Sequence, residues 1–145
     1  MSFALHPQLA ADCHRLGSFE LCRLLLMNEA RYPWFILVPQ RAGLREVYEL
    51  DDGGQAQLLR ESCALGRALM RAYSGDKLNI AALGNVVPQL HLHHIVRHAG
   101  DAAWPAPVWG RHPPRPYGGA ELQERLARLA PELPDGFQPA YEAPG

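Results

Sequence analysis

Apolar and polar positions alternate along the chain in a way that divides it into elements. Residues 6–13 read as a short helix with Pro7 in its first turn. Arg15–Phe19 reads as a short strand. Glu20–Met27 (ELCRLLLM) is an apolar run of strand length, although Leu and Met alone leave helix open. Asn28 to Pro33 interrupts it with turn-forming residues, and Trp34–Val38 (WFILV) is the clearest strand, β-branched and aromatic, ended by Pro39. Two strands joined by a short polar connection predict an antiparallel hairpin. Asp51-Asp52-Gly53-Gly54 marks a helix start, since aspartates cap and suit the positive end of the helix dipole. Gln55–Tyr73 then repeats at helical spacing. Leu58, Ser62, Leu65, Leu69 and Tyr73 share one stripe, and Leu59, Cys63 and Met70 widen it.

Lys77–Leu83 and Gln89–Arg97 read as two further strands around the loop Gly84–Pro88. After Gly100 the composition shifts. Nine of the 13 prolines lie between Pro105 and Pro144, which excludes a continuous helix or a central strand there. Only Ala120–Leu129 is amphipathic in this part, and the last dozen residues read as a tail. Strands, a helix, then strands predict an α+β fold: an antiparallel sheet of about five strands with a long and a shorter helix packed against it. The expected organisation is a domain over residues 1–112, including the N-terminal segment, and a proline-rich C-terminal extension over 113–145 with one short helix. The length of 145 residues suits one domain with a real core.

Charge narrows the function classes. Fourteen Lys+Arg against 15 Asp+Glu give a net charge of −1, unlike a nucleic-acid binder or a polybasic membrane-surface protein. Lys77 is the single lysine and no Gly-Lys-Ser/Thr occurs, so there is no P-loop. No apolar stretch reaches about 18 residues, so no membrane helix is expected, and the N-terminus does not read as a signal peptide. Three cysteines, Cys13, Cys22 and Cys63, are an odd number without a C-x-x-C pair. They suit buried, reduced thiols in the cytoplasm better than a disulfide framework or a cysteine zinc site.

Four of the seven histidines fall within residues 91–98. On a strand, Gln89, His91 and His93 share one face, with the two imidazoles about 7 Å apart at the backbone, and Leu90, Leu92 and His94 share the other. The leucines make that second face the buried one. Three readings fit. A neutral imidazole can attack phosphorus while its second nitrogen donates to a fixed acceptor, and a second imidazole can assist the leaving group. His-x-His can chelate zinc, with His98 or His112 as a third ligand. Or the histidines are polar residues on a solvated sheet face, with His94 partly exposed at a strand end and Arg97 a solvated cation.

Val87-Pro88-Gln89-Leu90-His91-Leu92-His93-His94-Ile95-Val96-Arg97 resembles the His-φ-His-φ-His-φ-φ signature of the histidine-triad (HIT) superfamily, φ being apolar. Cys22–Pro39, Gln55–Tyr73 and Lys77–Asn85 resemble that family's strand pair, long helix and following strand, and Trp104–Gly110 resembles a C-terminal segment of some bacterial members. The likeness runs from about Leu21 to Gly110. It implies a HIT-like fold and a hydrolase or nucleotidyl transferase of nucleoside phosphate esters, anhydrides or amidates, similar to diadenosine polyphosphate hydrolase-like proteins. It implies a covalent intermediate at His91 with His93 beside the leaving group. By rough alignment it implies Asn28 near the ribose and Asn79 near the phosphate, with Asn85 in the loop whose N–H groups face phosphoryl oxygens. It also implies a homodimer and no cofactor or metal. Two departures stand out: Gln89 replaces the first histidine, and Trp34 stands near where many relatives carry another. Gln89 can still hydrogen-bond but cannot act as a base, and the resemblance implies that a backbone carbonyl of this region holds the nucleophile's second nitrogen whatever the side chain, so reduced or redirected activity is expected, the alternative being a nucleotide-binding module. Trp104 and Trp109 are candidates for aromatic walls of the site or for a subunit contact.

Overall fold

The computed structural model describes residues 2–140. The elements in chain order are α1 (Pro7–Asp12), β1 (Cys13–Ser18), β2 (Cys22–Met27), β3 (Trp34–Pro39), α2 (Asp52–Tyr73), β4 (Lys77–Ala81), β5 (Leu92–Arg97), α3 (Gly119–Leu129) and β6 (Gln138–Pro139). They form an α+β fold around one antiparallel sheet of six strands, ordered β4-β5-β3-β2-β1-β6. The sixth strand exceeds the expected five.

Both faces of the sheet are covered, which is why β2 and β3 read as continuous apolar runs. Side chains alternate across the sheet. Cys22, Leu24, Leu26, Phe35, Leu37 and Val96 pack under α2 and α3, against Leu65, Leu69 and Leu129. Leu25, Trp34, Ile36, Val38 and Ile95 face the opposite way, under Leu9 of α1 and the loop bearing Ala103 and Val108. Burying both sides of a five-residue strand such as WFILV leaves no polar alternation to read in the sequence.

In α2, Asp51 caps the helix by accepting from Gly54 N at 2.7 Å. Leu58, Ser62, Leu65, Leu69 and Tyr73 are buried as the periodicity predicts. Of the residues expected to widen the stripe, Met70 packs half-buried against the core, but Leu59 is 64% exposed and Cys63 is exposed, and Glu61, Gly66, Ala68 and Ala72 are buried instead. The buried Glu61 carboxylate accepts from the N–H groups of Leu21 and Cys22, both at 2.8 Å, and so ties the helix to the start of β2. Of the other cysteines, Cys22 is buried and Cys13 half-buried; all three thiols are free.

The proline-rich segment packs against the rest of the chain. Ala30 N donates to Arg115 O, Tyr117 N donates to Asn28 Oδ1, and Leu129 joins the core beneath α2. Its final part is not a loose tail through residue 140, because β6 pairs with β1 and Phe137 packs on Phe19 at 5.2 Å. The close approach of β6 requires Gly17: its φ is +154°, and a Cβ there would stand 2.2 Å from Gln138 O. Residues 141–145 of the expected tail lie outside the described residues.

Candidate active site

The β5 ladder begins at Leu92, three residues later than the hydrophobic pattern suggests. Gln89–His91 continue the extended path without ladder partners; Leu90 N instead donates to Leu44 O at 2.9 Å. The alternation of faces survives this change. His94 and Val96 point towards α2, while His93, Ile95 and Arg97 point to the side covered by α1. His91 joins that second side, and its ring lies 4.9 Å from the His93 ring, centroid to centroid, at 68°.

Hydrogen bonds assign the proton on each ring. His91 Nδ1 lies 2.7 Å from the carbonyl oxygen of Gln89. A carbonyl only accepts, so Nδ1 carries the proton and Nε2 keeps a lone pair. His93 has the reverse arrangement. The Trp34 indole N–H, which only donates, points at His93 Nδ1 at 3.0 Å, so Nδ1 accepts and Nε2 carries the proton. Burial, with His91 and His94 as positive neighbours when charged, pushes the His93 pKa down from 6.5 to about 3. Two neighbouring imidazoles therefore present opposite functions: a lone pair on His91 and an N–H on His93.

Both rings line a cleft of about 390 Å³ walled by Leu9, Trp34, Val87 and Trp109. The Trp109 ring meets His93 edge-on at 5.2 Å and Trp34 at 5.8 Å. Trp104 is not part of this wall; it lies over the Arg97 guanidinium at 5.7 Å and is 38% exposed. The loop Leu83–Val87 completes the rim, and Asn85 lies on it, exposed. An adjoining cavity of about 360 Å³ shares Asp12, Met27, Trp34 and Trp109 with the cleft. It carries Asn28, Glu29 and His112. Asn28 Oδ1 is held by Tyr117 N at 2.9 Å and lies 3.2 Å from His14 Nε2, so its amide nitrogen is the group left for a ligand.

The remaining sequence candidates lie elsewhere. The Gln89 side chain turns from the cleft to bind the N-terminal segment, accepting from His6 N at 2.8 Å and donating to Ala4 O at 2.9 Å. Asn79 sits on β4 and accepts from Arg97 Nη1 at 2.9 Å, lining neither cavity. Arg97 is not a solvated cation: it is 1% exposed and paired with Asp101 through two bonds of 2.8 and 2.9 Å. Burial alone would raise the Asp101 carboxyl, but Arg97 and the N–H groups of His98, Ala103 and Trp104 hold it far below its ordinary value. Nor is His94 a partly exposed strand-end residue. It is fully buried, with Nδ1 donating to Leu92 O at 3.0 Å and Nε2 accepting from Ser62 Oγ at 2.7 Å. Burial pushes its pKa down to about 4. His98 bonds Tyr73 O and His112 stacks on Tyr32, so neither stands with His91 and His93 as a third ligand. Among the described residues, no three His, Cys, Asp or Glu side chains converge as a metal ion would need.

The sequence reading missed the Trp34–His93 bond and the part α1 plays in walling the cleft. Trp34 was visible only as a departure from a pattern. The contribution of α1 depends on a contact 83 residues apart in the chain, between His6 and Gln89.

Residues 8–100 match the family model described as HIT domain. Among solved structures, a histidine triad protein from Marinobacter aquaeolei VT8 is 55% identical, with a TM-score of 0.89 over 92% of this chain and 97% of that one. A histidine triad protein from Bradyrhizobium japonicum is 44% identical, with a TM-score of 0.89 over 92% of this chain and 99% of that one. One from Sinorhizobium meliloti 1021 is also 44% identical, with a TM-score of 0.88 over 90% and 97%. No curated protein gave a significant match.

Proposed function

The chain belongs to the HIT domain family, whose members are generally nucleotide hydrolases or transferases, and on that premise we propose that it cleaves dinucleoside polyphosphates or other adenosine nucleotide conjugates through a nucleotidyl group carried on His91. One observation supports this most strongly: the 2.7 Å bond from His91 Nδ1 to the Gln89 carbonyl, which directs the Nε2 lone pair to the reaction. The bond uses the backbone of residue 89, so replacement of histidine by glutamine there leaves it in place.

In the first step, His91 Nε2 bonds to phosphorus as the bond to the leaving group breaks. In the second, water displaces His91, its proton passes to solvent or product, and the free imidazole returns. In this scheme His93 Nε2–H and the N–H groups of Gly84–Val87, residues that line the cleft, stabilise charge on the phosphoryl oxygens. The cavity beside the cleft takes the nucleoside, with Asn28 near the ribose, while Asn85 sits at the phosphate rim. Asn79, which holds Arg97 outside both cavities, has no part in this scheme. No metal or cofactor enters this scheme. We further propose a cytoplasmic homodimer. The outer edge of β4 ends the sheet, and Ile80 on that strand is exposed, which suits a second copy.

The test is turnover of a panel of adenylated substrates by the wild type and His91→Ala. Loss of all turnover in a folded variant supports the proposal, and full turnover by the variant contradicts it.

A further inference from the structure

We propose that Trp34 is a positioning residue that confines His93 to the role of hydrogen-bond donor, and that this restricts the enzyme to phosphoanhydrides, whose leaving group departs as an anion, over phosphoramidates, whose amine must be protonated. The inference rests on the hydrolase reading above and deepens it by naming the bond that is cut.

The argument starts from the two nitrogens of His93. Nδ1 accepts the indole N–H of Trp34 at 3.0 Å. A second proton on the ring would have to sit there, opposite a donor that has no lone pair to offer. His93 is 5% exposed and, among the described residues, its neighbours offer no counter-charge. His91 stands beside it, Trp34 comes from β3, Ala81 faces it from β4, and Trp109 closes over it from the loop. Among the described residues, Asp12 of α1 is the one acidic side chain on the cleft, and both its carboxylate oxygens lie 2.9 Å from Gln8 Nε2. His93 is thus held neutral with its proton on Nε2. A neutral imidazole that gave up that proton would become an anion, so the group can hydrogen-bond an oxygen but cannot act as general acid near neutral pH.

The two substrate classes respond differently. When a P–O–P bond breaks, the electron pair leaves on a phosphate oxygen that is stable as an anion, and a hydrogen bond from His93 Nε2–H suffices. When a P–N bond breaks, the pair leaves on nitrogen, and the amine departs only if a proton arrives with it. Of the titratable side chains on the cleft, His91 is the nucleophile, Asp12 is occupied by Gln8, and His93 is locked. General acid assistance is worth about 10²–10⁴-fold, and that factor is withheld from the amidate.

The test has two arms on the full chain. The first measures kcat/KM for a diadenosine polyphosphate and for an adenosine phosphoramidate, with wild type and Trp34→Phe, from pH 5 to 8. The wild type should favour the anhydride by about 100-fold or more. In Trp34→Phe, Nδ1 is free to take a proton, and the preference should shrink by about tenfold or more towards pH 5, through kcat. The second arm follows the ¹⁵N signals of His93 in the wild type alone, so it needs neither turnover nor a stable variant. The proposal expects an unprotonated Nδ1 and a protonated Nε2 with no titration down to pH 5. Comparable wild-type turnover of the two substrates, or titration of His93 near 6.5, overturns it. If neither substrate is cleaved, the hydrolase reading fails and the substrate claim with it, while the ¹⁵N signals still decide what Trp34 does to His93.

Discussion

Gln89→Ala separates the two jobs of residue 89. The side chain makes two hydrogen bonds to the N-terminal segment, one half-buried and one exposed. Each is worth about 0.5–1.5 kcal/mol net, and exposure of the second places the sum near 1–2 kcal/mol. For a chain of this size that corresponds to a fall in melting temperature of roughly 3–7 °C. The carbonyl that orients His91 stays, so kcat should remain within about threefold. Losing the group that sets a catalytic histidine's tautomer costs about 10⁴-fold in the best-studied case. Any kinetic change should fall on KM, because the segment that Gln89 holds leads into α1, which walls the cleft. Thermal unfolding and steady-state hydrolysis of a diadenosine polyphosphate read the two effects separately. A folded variant whose kcat drops 100-fold or more would refute the reasoning, since it would put the side chain in the chemistry.

Other outcomes follow from the buried polar groups. Ser62→Ala leaves His94 Nε2 without its donor and should cost about 1–3 kcal/mol in denaturant unfolding, with kcat little changed because His94 faces α2. Asp101→Ala strands the Arg97 guanidinium, 1% exposed, and should cost about 3–5 kcal/mol; a loss under 1 kcal/mol would show the pair to be unimportant. His93 and His94 make stability depend on pH in a defined direction. Their folded pKa values lie near 3 and 4, below the ordinary 6.5, so the unfolded chain binds protons first as pH falls. Their contribution is complete above about pH 6.5 and declines towards pH 4, by up to about 1.4 kcal/mol per pH unit for each histidine. A flat unfolding free energy between pH 7 and 5 would count against both burials.

The fold was legible where one physical cause dominated. Pro7, Asp51 and the Leu58–Tyr73 stripe each announce a helix through a local rule, and the structure places helices there. The parity of His91 and His93 was legible because strand alternation persists even where the ladder does not. What could not be read depends on contacts distant in sequence. Burial of both sheet faces removes the polar alternation that would reveal which side an element covers. Arg97 looks like a surface cation until Asp101 and Asn79 meet it. His94 looks misplaced until Ser62, 32 residues earlier, supplies its partner. The proline-rich segment has too little periodicity to show that β6 completes the sheet. By contrast, the family resemblance already implied that a backbone carbonyl orients the nucleophile, so the bond from His91 to the Gln89 carbonyl was an expectation although Gln89 departs from the signature.

The central claim is that a neutral His91 attacks phosphorus through Nε2. It is tested most directly by mixing the enzyme with a diadenosine polyphosphate, quenching in alkali within milliseconds, and sequencing the peptides by mass spectrometry. A nucleotidyl group on the peptide spanning His91, located on that residue and absent from His91→Ala, is the predicted result. Wild-type turnover with no adduct at any time point, or an adduct on His93 instead, would contradict the account.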